Sequence, residues 1–422
     1  MFEFSIPYGK GRTSFSLPKH LAPEVIAPPS VPATPDPLGA VETALSAPVG
    51  VGLAGFRGVR SAAIAISDKT RPVPHEYLLP PLLRRIEDGL GLRPGAITLI
   101  IASGTHPPVG PEEYGRVVPK DILARYPVAC HDADDTDSLL RLGTTSRGTP
   151  VWGNRRFVGA DLRIVVGNVE PHQFQGFSGG VKGAAIGLAG RETVNHNHAM
   201  MTDPRAQLGR YDDNPARQDV EEIGRMMGVH FALNTVLNEG KEIVHAIAGE
   251  PVAVMEMGIP LSREVCQVAV SAPFDLVIAS PGGHPKDLNV YQAQKALAHA
   301  GLVTRDGGTV ILAAACPEGS GSRGYESWME GMRSYDEVLS RFEREGFRVG
   351  PHKAFQIARD AVRVHVLLVS EMAPDFVRYL LLAPAPSVDE ALAVVLGDFA
   401  AGARVGIMPR ASSTIPCVRG GV

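Results

Sequence analysis

The sequence predicts an α/β protein of two domains with parallel-rich sheets. Apolar, β-branched runs alternate along the chain with segments of helical periodicity, the pattern of parallel strands covered by crossover helices. At 422 residues the chain is longer than one ordinary core, and it carries two successive series of such runs. A composition of 44% hydrophobic and 20% charged residues is a globular balance, with no sign of a disordered class.

The elements follow in order. The opening IPYGKGRTSFSLP reads as a short hairpin with Gly9 to Gly11 at its turn. Residues 18–38 are rich in proline, which forbids helix and sheet interior and predicts an extended arm wrapping the surface. Candidate strands then fall at 61–67 (SAAIAIS), 97–103 (ITLIIAS) and 163–168 (RIVVGN). Between the first two, EYLLPPLLRRIEDGLG can carry a helix after its prolines, and QDVEEIGRMMG reads as an amphipathic helix closed by a glycine. The second series is 274–280, 309–315, 364–370 and 404–409, with YESWMEGMRSYDEVLSRFEREG as a strong helical stretch. A boundary near residue 260 gives an N-terminal domain 1–260, which includes the proline-rich arm, and a C-terminal domain 261–422.

Charge and cysteine usage exclude several classes. A net charge of −4 with no Lys/Arg-rich run argues against a nucleic-acid partner. The N-terminus has neither a basic leader nor a long apolar run, and no stretch approaches the ~18 apolar residues a membrane span needs. Cys130, Cys266, Cys316 and Cys417 lie far apart, as reduced thiols of a cytoplasmic protein do, and form neither a disulfide frame nor a zinc motif.

Ligands of open α/β sheets bind beyond the carboxyl ends of the strands, and the unusual polar residues fall there. The first strand runs into Asp68-Lys69-Thr70-Arg71-Pro72, the second into Gly104-Thr105-His106-Pro107-Pro108, and the third into Glu170-Pro171-His172, continuing through GFSGGVKG to Lys182 and Gly183. That glycine-rich loop is not a Walker motif, because no Ser or Thr follows Lys182; its glycines still let backbone N–H groups approach an anion. The run Gly183 to Gly190 has the wrong spacing for a dinucleotide fingerprint and reads as small residues for tight packing. In Asn195-His196-Asn197-His198 the two histidines are two apart and do not share a helix face, so only one of them is expected to reach the site. In the second half, Asp287 is expected to cap a helix on which Tyr291, Gln292 and Lys295 share one face, a set suited to a carboxylate and a neighbouring hydroxyl. Each piece has a plainer reading as a cap, a surface pair or a solvated face; their recurrence after the strands at 61–67, 97–103, 163–168 and 274–280, the last running into Pro281-Gly282-Gly283-His284-Pro285-Lys286-Asp287, favours a site.

These motifs, IPYGKG with SLP, SDKTRPVP, GTHPP, EPHQFQGFSGGVKG, NHNHAM and GGHPKDLNVYQAQKAL, resemble in their order the nickel-pincer lactate racemase family. The resemblance implies two Rossmann-like domains with the active site in the cleft between them. It implies a nickel-pincer nucleotide (a nickel pyridinium-3,5-bisthiocarboxylate mononucleotide) tethered covalently at Lys182, with His198 as nickel ligand and Asp68, Lys69, Thr70 and Arg71 contacting the cofactor. His106 and His172 would be the acid–base pair, Arg71 would reach the substrate carboxylate, and Tyr291, Gln292 and Lys295 would hold the substrate. The implied reaction racemises or epimerises a 2-hydroxy acid by moving the Cα hydride to the cofactor while a histidine takes the hydroxyl proton, through a 2-keto acid. The implied partners are the small-molecule substrate and cofactor-synthesis enzymes. Two departures bear on the substrate: Val181 stands where lactate-type members carry Arg, and PHKAFQIARD lacks the tryptophan of their aromatic wall. The expectation is therefore a 2-hydroxy acid without insistence on lactate, a malate-like, aryl or sugar acid included. The competing readings are a metal-dependent hydrolase or lyase with His106, His172 and His198 on a bare metal ion, and a cofactor-binding protein without turnover.

Overall fold

A computed structural model describes residues 1–419, so the last three positions of the expected second domain, 420–422, lie outside the described residues. The chain divides into two compact units: residues 30–265, and residues 1–29 with 266 onward. No helix among the described residues is long and apolar enough to cross a membrane.

The unit of residues 30–265 is built on a six-stranded sheet. Its order is Ile243–Gly249, Phe231–Leu237, Leu162–Asn168, Ala62–Ser67, Ile97–Ala102 and Val128–Cys130. All neighbours are parallel except the edge hairpin of Phe231–Leu237 with Ile243–Gly249. The three expected strands are three of the four interior strands here. Alternation along Ala62–Ser67 divides the core in two. Ile64 and Ile66 pack with Leu79, Leu82, Leu99 and Ile101 on one face, and Ala63 and Ala65 pack with Val181, Ala184, Ala185 and Ile223 on the other.

The small face lets the short helix Lys182–Ala185 lie close against the sheet. A Cβ on Gly183 would stand 2.6 Å from Val165 Cγ1, and one on Gly187 would meet Ala102 Cβ at 2.7 Å as well as the Gly183 carbonyl. The glycines between Gly183 and Gly190 thus serve packing.

Two helices differ in extent from the expectation. The helix His75–Leu90 begins ahead of its prolines and carries Pro80 and Pro81 inside. An interior proline costs about 3 kcal/mol. Burial of Leu78, Leu79, Leu82, Leu83 and Ile86 on the sheet, at about 1.5–3 kcal/mol each, outweighs that cost. The helix Pro215–Met226 starts earlier than its amphipathic stretch, because Asn214 caps it by accepting from the Arg217 N–H and Pro215 occupies the first turn.

The other unit holds a six-stranded all-parallel sheet of order Ala383–Ala385, His365–Val369, Thr304–Ala313, Phe274–Ala279, Arg404–Met408 and Ala22–Val25. The N-terminal hairpin forms as expected, Phe2–Tyr8 against Gly11–Leu17, and its Ile6, Phe15 and Leu17 enter the same core as Leu276, Ile278 and Ile311. Residues 1–29, expected with the N-terminal half, group instead with the C-terminal segment. The reason lies in the proline-rich arm: Ala22–Val25 adds as an edge strand beside Arg404–Met408, and an edge tolerates Pro23. The single helix expected over 325–346 is two, Arg323–Met329 and Tyr335–Glu345; Gly331 at φ 77° lies between them and Ser334 caps the second. Asp287 is not the expected cap. Asn289 accepts from the Gln292 N–H to start Val290–Gly301, while Asp287 accepts from the backbone N–H groups of Gly9 and Ala315.

Gly187→Ala should destabilise the protein by about 1–3 kcal/mol, because backbone on one side and a sheet side chain on the other leave the methyl no space. The check is the urea midpoint; an unchanged midpoint would show that the small-residue run is not a packing requirement.

Candidate active site

The carboxyl ends of Ala62–Ser67, Ile97–Ala102 and Leu162–Asn168 open into one cavity lined by Asp68, Arg71, His106, His172, Lys182 and His198. Six of the residues expected at the site therefore meet within one unit. Lys69 and Thr70 do not line it. Lys69 reaches Glu113 at 2.7 Å on the exposed side, and Thr70 donates both its hydroxyl and its backbone N–H to Asp68 Oδ1.

Buried amide side chains fix the loops that carry these groups. Asn168 accepts from Thr235 Oγ1 at 2.6 Å and donates to the Pro72 carbonyl, tying the Asp68–Arg71 turn to the sheet. Asn234 accepts from the Gly180 N–H at 2.8 Å. Arg217, buried beneath the glycine-rich loop, donates to the carbonyls of Phe177 and Gly179 and pairs with Glu221. Gly179 and Gly180 sit at φ 99° and 56°, where a side chain would be strained. The Gly104 N–H donates to the Gly187 carbonyl, so the loop bearing His106 is tied to the segment that follows Lys182.

The histidines are held differently, and their tautomers are assigned from their partners. His106 Nδ1 lies 2.8 Å from Asp68 Oδ2. Burial works against ionising Asp68, but hydrogen bonds from His106 and Thr70 prevail and hold its carboxyl below the usual range. An ionised carboxylate only accepts, so His106 carries its proton on Nδ1 and presents an Nε2 lone pair. His172 Nδ1 instead accepts from the Gln175 N–H at 3.2 Å, so neutral His172 presents Nε2–H. The Phe174 ring stands between His172 and His198, its centroid 4.8 Å from one and 4.9 Å from the other, edge-on to both. His196 lies on the same helix, Arg191–Ala199, but is exposed, and its Nδ1 bonds to Thr149 Oγ1.

Lys182 is enclosed by protein yet open to the cavity. Burial, with the cations of Arg71 and Arg217 nearby, pushes its amine down to about 7. A substantial neutral fraction near neutral pH makes it a nucleophile. Among the described residues no group of three or more His, Cys, Asp or Glu is placed to hold a metal ion. His198 and Lys182 line the same cavity, an imidazole able to bind a metal and an amine able to bond covalently, and these residue types fit a metal-bearing cofactor attached to lysine.

In the other unit, Tyr291, Gln292 and Lys295 share a face of Val290–Gly301, with Lys295 Nζ 3.0 Å from Gln292 Oε1. Beside them is Lys353, which sequence reasoning missed. It is buried, donates to Gln356 Oε1 at 2.8 Å and Gln294 Oε1 at 3.1 Å, and lies 4.7 Å from the Tyr291 ring centroid. Burial, reinforced by Lys295 and Arg359, drives its amine well below the ordinary lysine range. Phe174, Asn197 and Arg217 were missed as well. The first two lie inside quoted motifs, where the histidines drew attention away from them; Arg217 has no signal that separates it from a surface arginine.

Competitive labelling with an amine reagent should give Lys182 a midpoint near pH 7, against about 10.4 for exposed lysines. The unfolded chain keeps that proton to the ordinary range. Lys182 therefore weakens the fold below pH 7, and the penalty is relieved as pH rises from about 7 toward 10. A midpoint near 10 for Lys182 would remove the case for an activated amine.

Comparison with known proteins accords with this geometry. Residues 8–209 match the family model for the lactate racemase N-terminal domain, and residues 269–415 that for the lactate racemase C-terminal domain. The chain is 31% identical to a lactate racemase of Lactiplantibacillus plantarum over 84% of each chain. It is 28% identical to one from Thermoanaerobacterium thermosaccharolyticum, over 98% of this chain and 99% of that protein. The solved lactate racemase apoprotein of the latter organism superposes with a TM-score of 0.88 at 27% identity, covering 98% of this chain and 100% of that one. A Thermotoga maritima protein at 20% identity and TM-score 0.61, covering 92% of this chain and 100% of that one, is alike in fold alone. With both halves matched and the motifs gathered as described, the chain belongs to the lactate racemase family and is an isomerase.

Proposed function

We propose that this protein racemises or epimerises a 2-hydroxy acid with a nickel-pincer nucleotide tethered at Lys182. The observation that carries the proposal is the shared cavity: an amine depressed to about 7, one candidate metal-binding imidazole at His198, and two further histidines held in opposite tautomers. When bound, the cofactor would supply hydride-acceptor and hydride-donor chemistry at the substrate Cα.

The chain's own residues would do the rest. Lys182 holds the cofactor covalently, His198 supplies the protein ligand to nickel, and Arg71 holds the substrate carboxylate as an ion pair. His106 takes the hydroxyl proton at Nε2, and the Asp68 carboxylate at its Nδ1 stabilises the imidazolium that results. His172, through Nε2–H, donates a hydrogen bond to the same oxygen. For the opposite enantiomer His172 must become the base, which requires moving its proton to Nδ1 and releasing the Gln175 N–H. Tyr291, Gln292 and Lys295 contact the substrate in this reading. A cytoplasmic location and dependence on cofactor-synthesis enzymes belong to it too.

Protein produced together with cofactor-synthesis enzymes should carry, by denaturing mass spectrometry, an adduct at Lys182 that Lys182→Ala lacks. It should interconvert the enantiomers of at least one member of a broad 2-hydroxy acid panel. Metal bound without any adduct would sink the tether.

His106→Ala and His172→Ala should each slow racemisation by about 10²–10⁴-fold with the adduct retained, the usual worth of a general acid or base. Loss of the adduct in both would show that they hold the cofactor and do not move protons.

A further inference from the structure

Beneath His198 runs a buried chain of polar side chains linking the helices Arg191–Ala199 and Pro215–Met226. Asp219, with no solvent exposure, receives three hydrogen bonds: from Thr145 Oγ1 at 2.7 Å, Thr149 Oγ1 at 2.9 Å and Asn197 Nδ2 at 2.9 Å. With only acceptors to offer, a carboxylate dictates the orientation of all three. Asn197 must turn its NH₂ toward Asp219, where it also meets the Ala216 carbonyl at 2.9 Å. Its Oδ1 therefore points the other way and accepts from Gln175 Nε2 at 2.6 Å. That same oxygen lies 3.3 Å from His198 Nδ1, and it can only accept there.

We infer that Asp219, acting through Asn197, is a positioning device that holds His198 with its proton on Nδ1 and so makes Nε2 the nitrogen offered to the metal. Ligating histidines commonly give their other N–H to an oxygen acceptor that fixes ring and tautomer. Here the acceptor is a neutral amide whose polarity is set one residue further on by a buried carboxylate. His196 is held in the same tautomer, because Thr149 spends its proton on Asp219 and can only accept from His196 Nδ1–H; its exposed place outside the cavity lining, and not its tautomer, sets it apart from His198. The inference rests on the reading of His198 as metal ligand, but its first test does not need the metal.

In cofactor-free protein labelled with ¹⁵N-histidine, and with the His198 signals assigned by their loss in His198→Gln, neutral His198 should be the Nδ1–H tautomer. In Asp219→Asn the amide can donate toward Asn197, whose own amide can then reverse and present NH₂ to His198; the Nδ1–H population should fall. Asn197→Ser, in which Asp219 keeps both threonine donors, should weaken the same preference. In loaded protein both variants should release nickel to a chelator about 10–100-fold faster than the unaltered protein. Folding of each variant is read from its circular dichroism. An Nε2–H tautomer for His198 in the unaltered protein would overturn the inference whether or not any variant folds. Unchanged tautomer and unchanged release in a folded variant would overturn it equally. Unaltered protein that never acquires nickel would instead count against the proposed cofactor, leaving the tautomer result to judge the network alone.

Discussion

The close approach of a lysine-bearing helix to the sheet is the constraint on which the rest of the site depends. Ala63 and Ala65 keep that face of the strand small, and Gly183 against Val165 and Gly187 against Ala102 carry no side chain that would hold Lys182–Ala185 away. Once that helix is seated, Lys182 is placed among protein atoms with Arg71 and Arg217 nearby, and its amine gives up a proton near 7. An amine that stayed charged in that setting would face both desolvation and two like charges. The packing requirement and the chemical one are therefore met by the same small residues.

Around that lysine, each histidine is governed by what its Nδ1 meets. For His106 it is a carboxylate, for His172 a backbone N–H, and for His198 an asparagine oxygen. The two acceptors leave neutral His106 and His198 with the proton on Nδ1 and a bare Nε2, and the one donor leaves neutral His172 with Nε2–H. The contacts are local to the loops, but their polarity is set deeper. Thr70 and burial act on Asp68, and Thr145 and Thr149 act on Asp219. A sequence names the histidines without naming these settings.

Much of the scaffold was legible because it rests on short-range pattern. Short apolar runs such as SAAIAIS, closed by glycine and charge, read as buried strands, and the polar residues after them mark the carboxyl edge. The gathering of Asp68, Arg71, His106, His172, Lys182 and His198 followed from that edge together with a family resemblance. What was not legible is long-range or depends on competition between neighbours. Asp287 and Asn289 are both good caps, and only the pull of Gly9 and Ala315 on Asp287 decides between them. Arg217 sits in a helix whose polar residues look solvated, yet it is buried because carbonyls of the glycine-rich loop await it. Lys353 is buried likewise: Gln356 lies one turn along its own helix, but Gln294 reaches it only when two helices pack.

The placement of the first 29 residues is the clearest case, and it gives meaning to a motif that carries no chemistry of its own. The turn of IPYGKG and the stretch GGHPKD are 278 positions apart at their point of contact, yet they form one piece of structure. The Gly9 N–H donates to Asp287 at 2.6 Å, the His284 N–H donates back to the Gly9 carbonyl at 2.7 Å, and a Cβ on Gly283 would stand 3.0 Å from that same carbonyl. Asp287 also receives the Ala315 N–H from beyond the strand Thr304–Ala313, so one carboxylate joins hairpin, loop and sheet end. That leaves it no part in capping Val290–Gly301, and Asn289 assumes the task. The helix bearing Tyr291, Gln292 and Lys295 thus starts where the hairpin's hold on Asp287 lets it start. An N-terminal segment that the sequence assigns to the first domain is, physically, a brace under the helix Val290–Gly301 of the second.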